Sequence, residues 1–136
     1  MNKSITVDDF FTGLFAALTL KDREGASYSI RNERFDQAVE LVFRYLCDHA
    51  EENGLDLRFR IRRHQLHQDS AIVRDAIYAA AGRDLVSLEN PEYQDLRLKL
   101  SKNQASKLLD SRFREERNLF LHLADEFVGH YAGTAA

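Results

Sequence analysis

The sequence predicts an α+β domain, helix-rich overall, in which one small sheet of two to four short strands packs with four or five helices. Three observations carry this. Two long stretches repeat their apolar residues at helical spacing, around Phe10 to Leu18 and Phe35 to Ala50. One stretch, Leu55 to Arg62, alternates apolar and polar residues with the period of two of a half-buried strand. Helical and strand patterns then take turns along the chain, an order that folds into a small sheet covered by helices.

The first helix is expected over about residues 7 to 20, where Val7, Phe10, Phe11, Leu14, Phe15, Ala17 and Leu18 share a side. Thr6 is its N-cap, and Asp8 and Asp9 lie where the helix dipole favours anions. DREGAS breaks it, and Tyr28 and Ile30 alternate with Ser27, Ser29 and Arg31 in a short strand. Phe35, Ala38, Val39, Val42, Leu46 and Ala50 then mark a long amphipathic helix that stops at Gly54. Asp36, Glu40, Arg44 and Asp48 are placed on its solvent side, making a mainly acidic ridge. Cys47 is placed where a small buried hydrophobe would sit.

The stretch GLDLRFRIRRHQLHQD comes next, with a strand from 55 to 62 whose Leu57, Phe59 and Ile61 face the core. A third helix, capped by Asp69 or Ser70, turns Val73, Ala76, Ile77 and Ala80 inward and ends at Gly82; DLVSLE is a short strand. In ENPEYQDLRLKLSKNQ two local rules conflict. Leu96, Leu98 and Leu100 alternate with Arg97 and Lys99 as in a strand that would pair with 55–62, whereas Asn90 and Pro91 are good N-cap and first-turn residues for a helix. The strand is favoured, because Ser101 with Gln104 forms a capping box for a helix starting there. From Ser111 onward, Phe113, Phe120, Leu123, Ala124, Phe127 and Tyr131 predict a final helix, with Arg117 in the middle of its apolar stripe. A charge there must be paired, so Arg117 is expected to be at least half buried beside a carboxylate.

Length and composition bound the rest. A chain of 136 residues with 44% hydrophobic and 30% charged residues is expected to fold as a single domain, 1–136, around one core. Its one cysteine cannot form an internal disulfide. MNKSITVDDFF carries one Lys and then two Asp before any apolar run, which predicts neither a signal peptide nor a membrane span and suits a cytoplasmic location with no membrane partner.

The net charge of −3 is unevenly spread. Residues 1–54 carry six Lys/Arg against ten Asp/Glu, residues 55–117 carry thirteen against ten, and residues 118–136 carry two acids alone. Arg58, Arg60, Arg62, Arg63, Arg97 and Lys99 form the candidate anion-binding set. Like charges on facing strands repel, so an offsetting partner is expected. A nucleic-acid backbone is the functional candidate, with an acidic protein second. The structural alternatives are cover by the acidic ridge or by Asp56 and Asp95, or edge-strand cations that deter aggregation.

Two further clusters carry metal-ligand donors. His64, His67 and Asp69 fall within six residues, and His122, Glu126 and His130 recur at i, i+4 and i+8, but with no Cys partner both read as solvated polar residues and no metal or cofactor is expected. There is no Gly-rich phosphate loop, CxxC, HExxH or GxSxG. In REERNLFLH, Arg117 and Asn118 are followed by His122. This resembles the R-x4-H element, with a polar residue after the Arg, of the HEPN family of helical ribonucleases, and the resemblance implies RNA cleavage by Arg117, Asn118 and His122. It covers six residues, and Arg44 to His49 and Arg62 to His67 share the spacing. A binding role is therefore the leading expectation, with two rivals: that ribonuclease, or a protein-interaction or homo-oligomeric subunit exposing Phe10, Phe11, Phe15 or Tyr131.

Overall fold

The computed structural model describes residues 3–29, 33–57, 71–88 and 95–133. These residues form five helices and five short strands in the order β1 (Lys3–Ile5), α1 (Val7–Lys21), β2 (Ser27–Ser29), α2 (Glu33–Ala50), β3 (Leu55–Leu57), α3 (Ala71–Gly82), β4 (Val86–Ser87), β5 (Asp95–Leu98), α4 (Lys102–Arg112) and α5 (Arg117–Gly133). No helix among them is long and apolar enough to cross a membrane.

Helix α1 occupies the centre. Every residue from Phe10 to Thr19 is buried, and α3, α4 and α5 all pack against it. Such all-round burial belongs to a core helix, not to a surface one. Its start is fixed by a reciprocal capping box, in which the Asp9 N–H donates to Thr6 Oγ1 and the Thr6 N–H to Asp9 Oδ2, both at 3.1 Å. Polar residues inside the packing are handled unequally. Thr19 donates its hydroxyl to the Phe15 carbonyl at 3.0 Å, whereas the Thr12 hydroxyl is buried without a hydrogen bond. Gly13 is where the Phe120 ring of α5 rests, since a Cβ built there would meet its Cε1 at 2.4 Å.

Two sheets, not one, flank the helices. β1 pairs with β3 in parallel, Ile5 opposite Leu57; β5 is the centre of a separate antiparallel sheet of order β2-β5-β4. The favoured strand at 95–100 is thus present as Asp95–Leu98, but it does not pair with the strand at 55. Both of its edges are taken, by β2 and by β4. The described part of the 55–62 strand is extended as expected, with Leu55 buried and Leu57 packed against the core. Phe59 and Ile61 lie outside the described residues. Tyr28 and Leu96, and Val86 and Leu98, are opposite one another on the inner face. There Tyr28 meets Phe127 and Tyr131 of α5 edge-on at 5.3 and 5.4 Å.

Four expectations need correction. Asp36 is not on a solvent ridge: it is 4% exposed, and Arg74 of α3 reaches its Oδ2 at 3.4 Å, because the buried face of α2 is wide enough to include Asp36 and Phe43. Cys47 is exposed, one position past inward-facing Leu46 and so turned about 100° from it. The last helix does not run on from Ser111; α4 ends with Phe113 as its C-cap, and Glu116 closes a turn onto the Phe113 carbonyl before α5 begins. Phe113 and Phe120 still meet, at 4.8 Å between ring centroids, across that turn. Finally, Phe10, Phe11 and Phe15 are core residues, and Tyr131 is half-buried with its hydroxyl accepting from the Ser29 N–H, so none of the four is a free contact surface.

The packing around α1 makes two substitutions act in opposite directions. Thr12→Val removes an unpaired buried hydroxyl at constant shape and should raise stability by about 1 kcal/mol. Gly13→Ala should lower it by about 1–3 kcal/mol, overpacking against Phe120 outweighing the gain in helix propensity. Urea unfolding of both variants checks the pair. Tyr28 adds a pH dependence. Burial, then the hydrogen bond it donates to Asp22 Oδ2 at 2.8 Å, push its phenol well above the usual range. With the folded-state pKa raised, the stabilisation is complete below the unfolded phenol's pKa near ~10 and is lost as pH rises beyond it. Above that pH the wild type should lose stability faster than Tyr28→Phe, by about 1.4 kcal/mol per pH unit, in unfolding titrations at fixed temperature.

Candidate anion-binding face

Register in the β2-β5-β4 sheet builds the site. Directly opposite residues of antiparallel neighbours share a face, and Arg97 is opposite Ser27 on one side and Ser87 on the other. The outer face therefore carries a row Ser27, Arg97, Ser87, of which Ser27 and Arg97 are exposed and Ser87 is nearly buried. Alternation along β5 places Asp95, opposite Ser29, at one end of this face and Lys99 at the other. The sheet continues one step past β5 at each edge, through Leu98 N–H to the Ala26 carbonyl at 2.9 Å and Lys99 N–H to the Leu85 carbonyl at 3.1 Å. These two bonds hold the backbone of Arg97 and Lys99 from both flanks.

Arg97 is exposed, and no carboxylate among the described residues is within ion-pair reach of it. Its guanidinium lies over Gly25, where a Cβ would stand 3.6 Å from Nη2. Gly25 has φ +72, a conformation that costs an L side chain about 1–2 kcal/mol, so the turn between α1 and β2 both requires glycine and leaves an open shelf for the guanidinium. Lys99 Nζ is 3.3 Å from Asp84 Oδ1, but both side chains are exposed and such a pair contributes about 0–1 kcal/mol. Lys99 is thus anchored weakly.

Beyond the strand, the chain enters α4 through a second capping box. Ser101 Oγ accepts from the Gln104 N–H at 3.1 Å, and Gln104 Oε1 accepts from the Ser101 N–H at 2.9 Å. The Lys102 N–H donates to Glu24 Oε2 at 2.5 Å, so a carboxylate from the α1–β2 turn already sits at the positive end of α4. Glu24, Gly25, Ser87, Arg97, Lys99 and Gln104 together line a cleft of about 480 Å³.

Of the six cations expected to act together, the structure brings Arg97 and Lys99 to one face; Arg58, Arg60, Arg62 and Arg63 lie outside the described residues, as do His64, His67 and Asp69. Among the described residues β3 and β5 belong to different sheets, so the expected pairing of the 95–100 strand with the strand at 55 is not formed there. Ser87, Glu24 and Gln104 were missed as members of the site. The Ser101–Gln104 box was legible, but the register that sets Ser87 beside Arg97 depends on two strand pairings that no local pattern encodes.

Arg117 behaves as expected in contact though not in position. It is the first residue of α5, its side chain 31% exposed, and its Nη1 donates to Asp110 Oδ1 at 2.6 Å and to Ser106 Oγ at 3.3 Å, tying α5 to the end of α4. Asn118 and His122 are exposed. Arg117 and His122, five residues apart in one helix, point about 140° away from each other. His130 Nε2 pairs with Glu126 Oε2 at 3.3 Å, and no group of three metal-binding side chains occurs among the described residues. No protein-family model matches the chain, and no curated protein or solved structure matches it either.

Proposed function

We propose that this chain is a small binding module that presents the solvent face of its β2-β5-β4 sheet to an anionic partner, a nucleic-acid backbone before an acidic protein. One observation carries the reading: Arg97 stands exposed between two serines, with Lys99 next along the same face and no acid among the described residues paired with the guanidinium. Arginine and lysine supply most contacts to phosphate oxygens, and serine hydroxyls are common additional donors. Arg58, Arg60, Arg62 and Arg63 belong to the proposal through their sequence pattern. A ribonuclease using Arg117, Asn118 and His122 is the less favoured reading, since Arg117 is engaged in holding the α4–α5 turn.

Binding through so few phosphate contacts is governed by counterion release. The intact protein should bind labelled single- and double-stranded RNA or DNA at low salt, with dissociation constants on the order of 10⁻⁴ to 10⁻⁶ M near physiological salt. In fluorescence-anisotropy titrations over a salt series, replacing both Arg97 and Lys99 by Gln should weaken binding and flatten the plot of log K against log salt by roughly 1.4–1.8. Equal slopes for the two proteins, or no binding by the wild type at low salt, would refute the assignment.

A further inference from the structure

The cations of the β5 face do not simply line a flat stripe; at the Lys99 end the surface sinks into the cleft between the α1–β2 turn, β4 and the start of α4. We infer that this cleft is a site for a single phosphomonoester carried by a nucleotide-sized group, held by Arg97, Lys99 and the Ser87 hydroxyl, and that Glu24 is a fixed internal anion that opposes that phosphate. The inference deepens the anion-binding reading of this face and rests on it.

Shape gives the first argument. Arg97, Lys99 and Ser87 line one open cleft of about 480 Å³, which has room for a single phosphate carried by a nucleotide-sized group. Ser87 gives the second. The residue is 8% exposed and lines the cleft, so its side chain belongs to the wall of the cleft beside Arg97 and can supply a hydroxyl donor to an anion seated there. Lys99 can join it readily, because the exposed pair it would leave with Asp84 contributes little.

Glu24 gives the third. The first turn of α4 offers an arriving anion no free donor at Ser101, Lys102 or Gln104, because the capping box and the Glu24 carboxylate occupy those three N–H groups. The phosphate must therefore be held by side chains, in the presence of a fixed negative charge. A doubly charged phosphomonoester gains more from Arg97 and Lys99 than a singly charged phosphodiester does, so it is the better ligand for such a cleft. Neutralising Glu24 should then tighten binding. At a separation of several ångströms and an effective dielectric between those of protein surface and water, the gain is about three- to tenfold.

The test measures binding of the intact protein, by calorimetry or anisotropy, to one short oligonucleotide made with a 5′-phosphate and with a 5′-hydroxyl, and to a free mononucleotide. The phosphorylated oligonucleotide should bind about tenfold more tightly than its hydroxyl counterpart. Arg97→Gln and Ser87→Ala should erase that preference, and Glu24→Gln should strengthen it, with melting curves showing that each variant is folded. Competition by the mononucleotide at similar affinity assigns the site to free nucleotides; a failure to compete assigns it to strand ends. Equal affinity for the two oligonucleotides would overturn the cleft site and leave the backbone-binding reading standing. No binding of either would overturn both, and a Glu24→Gln variant no tighter than wild type would remove Glu24 from the account.

Discussion

Helix α1 has no solvent face over ten consecutive residues, and the rest of the fold is arranged to supply it with neighbours. A helix that buries Phe10, Phe11, Leu14, Phe15 and Leu18 together with Thr12, Gly13, Ala16 and Thr19 needs partners on every side. α3, α4 and α5 provide them, and Phe43 of α2 adds an edge-on contact to Phe10 at 6.3 Å. Ion pairs then tie the rim of this assembly: Arg112 at the end of α4 donates to Asp9 at the start of α1, and Lys21 at the other end of α1 pairs with Asp125 of α5. These exposed pairs add little energy each, but they act at the two ends of the helix that everything else surrounds.

The same helix determines where the basic face is. After α1 ends at exposed Lys21 the chain turns within a few residues to reach β2, and that turn brings Glu24 and Gly25 against β5 and the start of α4. Tyr28 fixes the turn from below by donating to Asp22 while its ring packs between Phe127 and Tyr131. The inner face of the β2-β5-β4 sheet carries buried Tyr28, Leu96, Leu98 and Val86, with Tyr28 against α5 and β4 against α3, which leaves Ser27 and Arg97 exposed on the outer face beside a nearly buried Ser87. The cleft is a consequence of core packing. Its chemistry comes from what the turn and strand happen to display there.

Much of this was legible locally. The caps at Thr6 and Ser101, the strand at 27–29, the strand at 95–98 and the inward Ala76, Ile77 and Ala80 of α3 all follow from spacing and turn chemistry within a few residues. What failed depended on distant neighbours. Asp36 looked like a solvent residue until α3 supplied Arg74, and nothing local to Gly13 announces that Phe120 of α5 rests on it. The break at Phe113 was hidden because Phe113 and Phe120, seven residues apart, face the same way in a continuous helix and also meet across the turn that replaces it. Strand partners were the least legible of all, since alternation specifies a face and not a neighbour. That is why the alternation around Arg97 and Lys99 gave a strand but assigned it to the sheet that contains β3.

For the described residues, the charge that a partner meets is set by local pairing and not by the net charge of −3. Several acids of the described residues are paired with cations within the fold, Asp9 with Arg112, Asp36 with Arg74, Asp110 with Arg117, Asp125 with Lys21 and Glu40 with Arg44, whereas the partner of Glu24 is a neutral helix N–H. A carboxylate held against its own cation contributes little field at a distance greater than the Debye length of about 8 Å, so the charge felt by a partner is the local remainder. On the β2-β5-β4 face that remainder is Arg97 with a loosely held Lys99, opposed by Asp95 at the far end of the strand. Asp95 at one end of β5 and Arg97 and Lys99 toward the other separate acid from base along the strand, while Glu24 and Asp84 beside the cleft limit how positive the Lys99 end becomes.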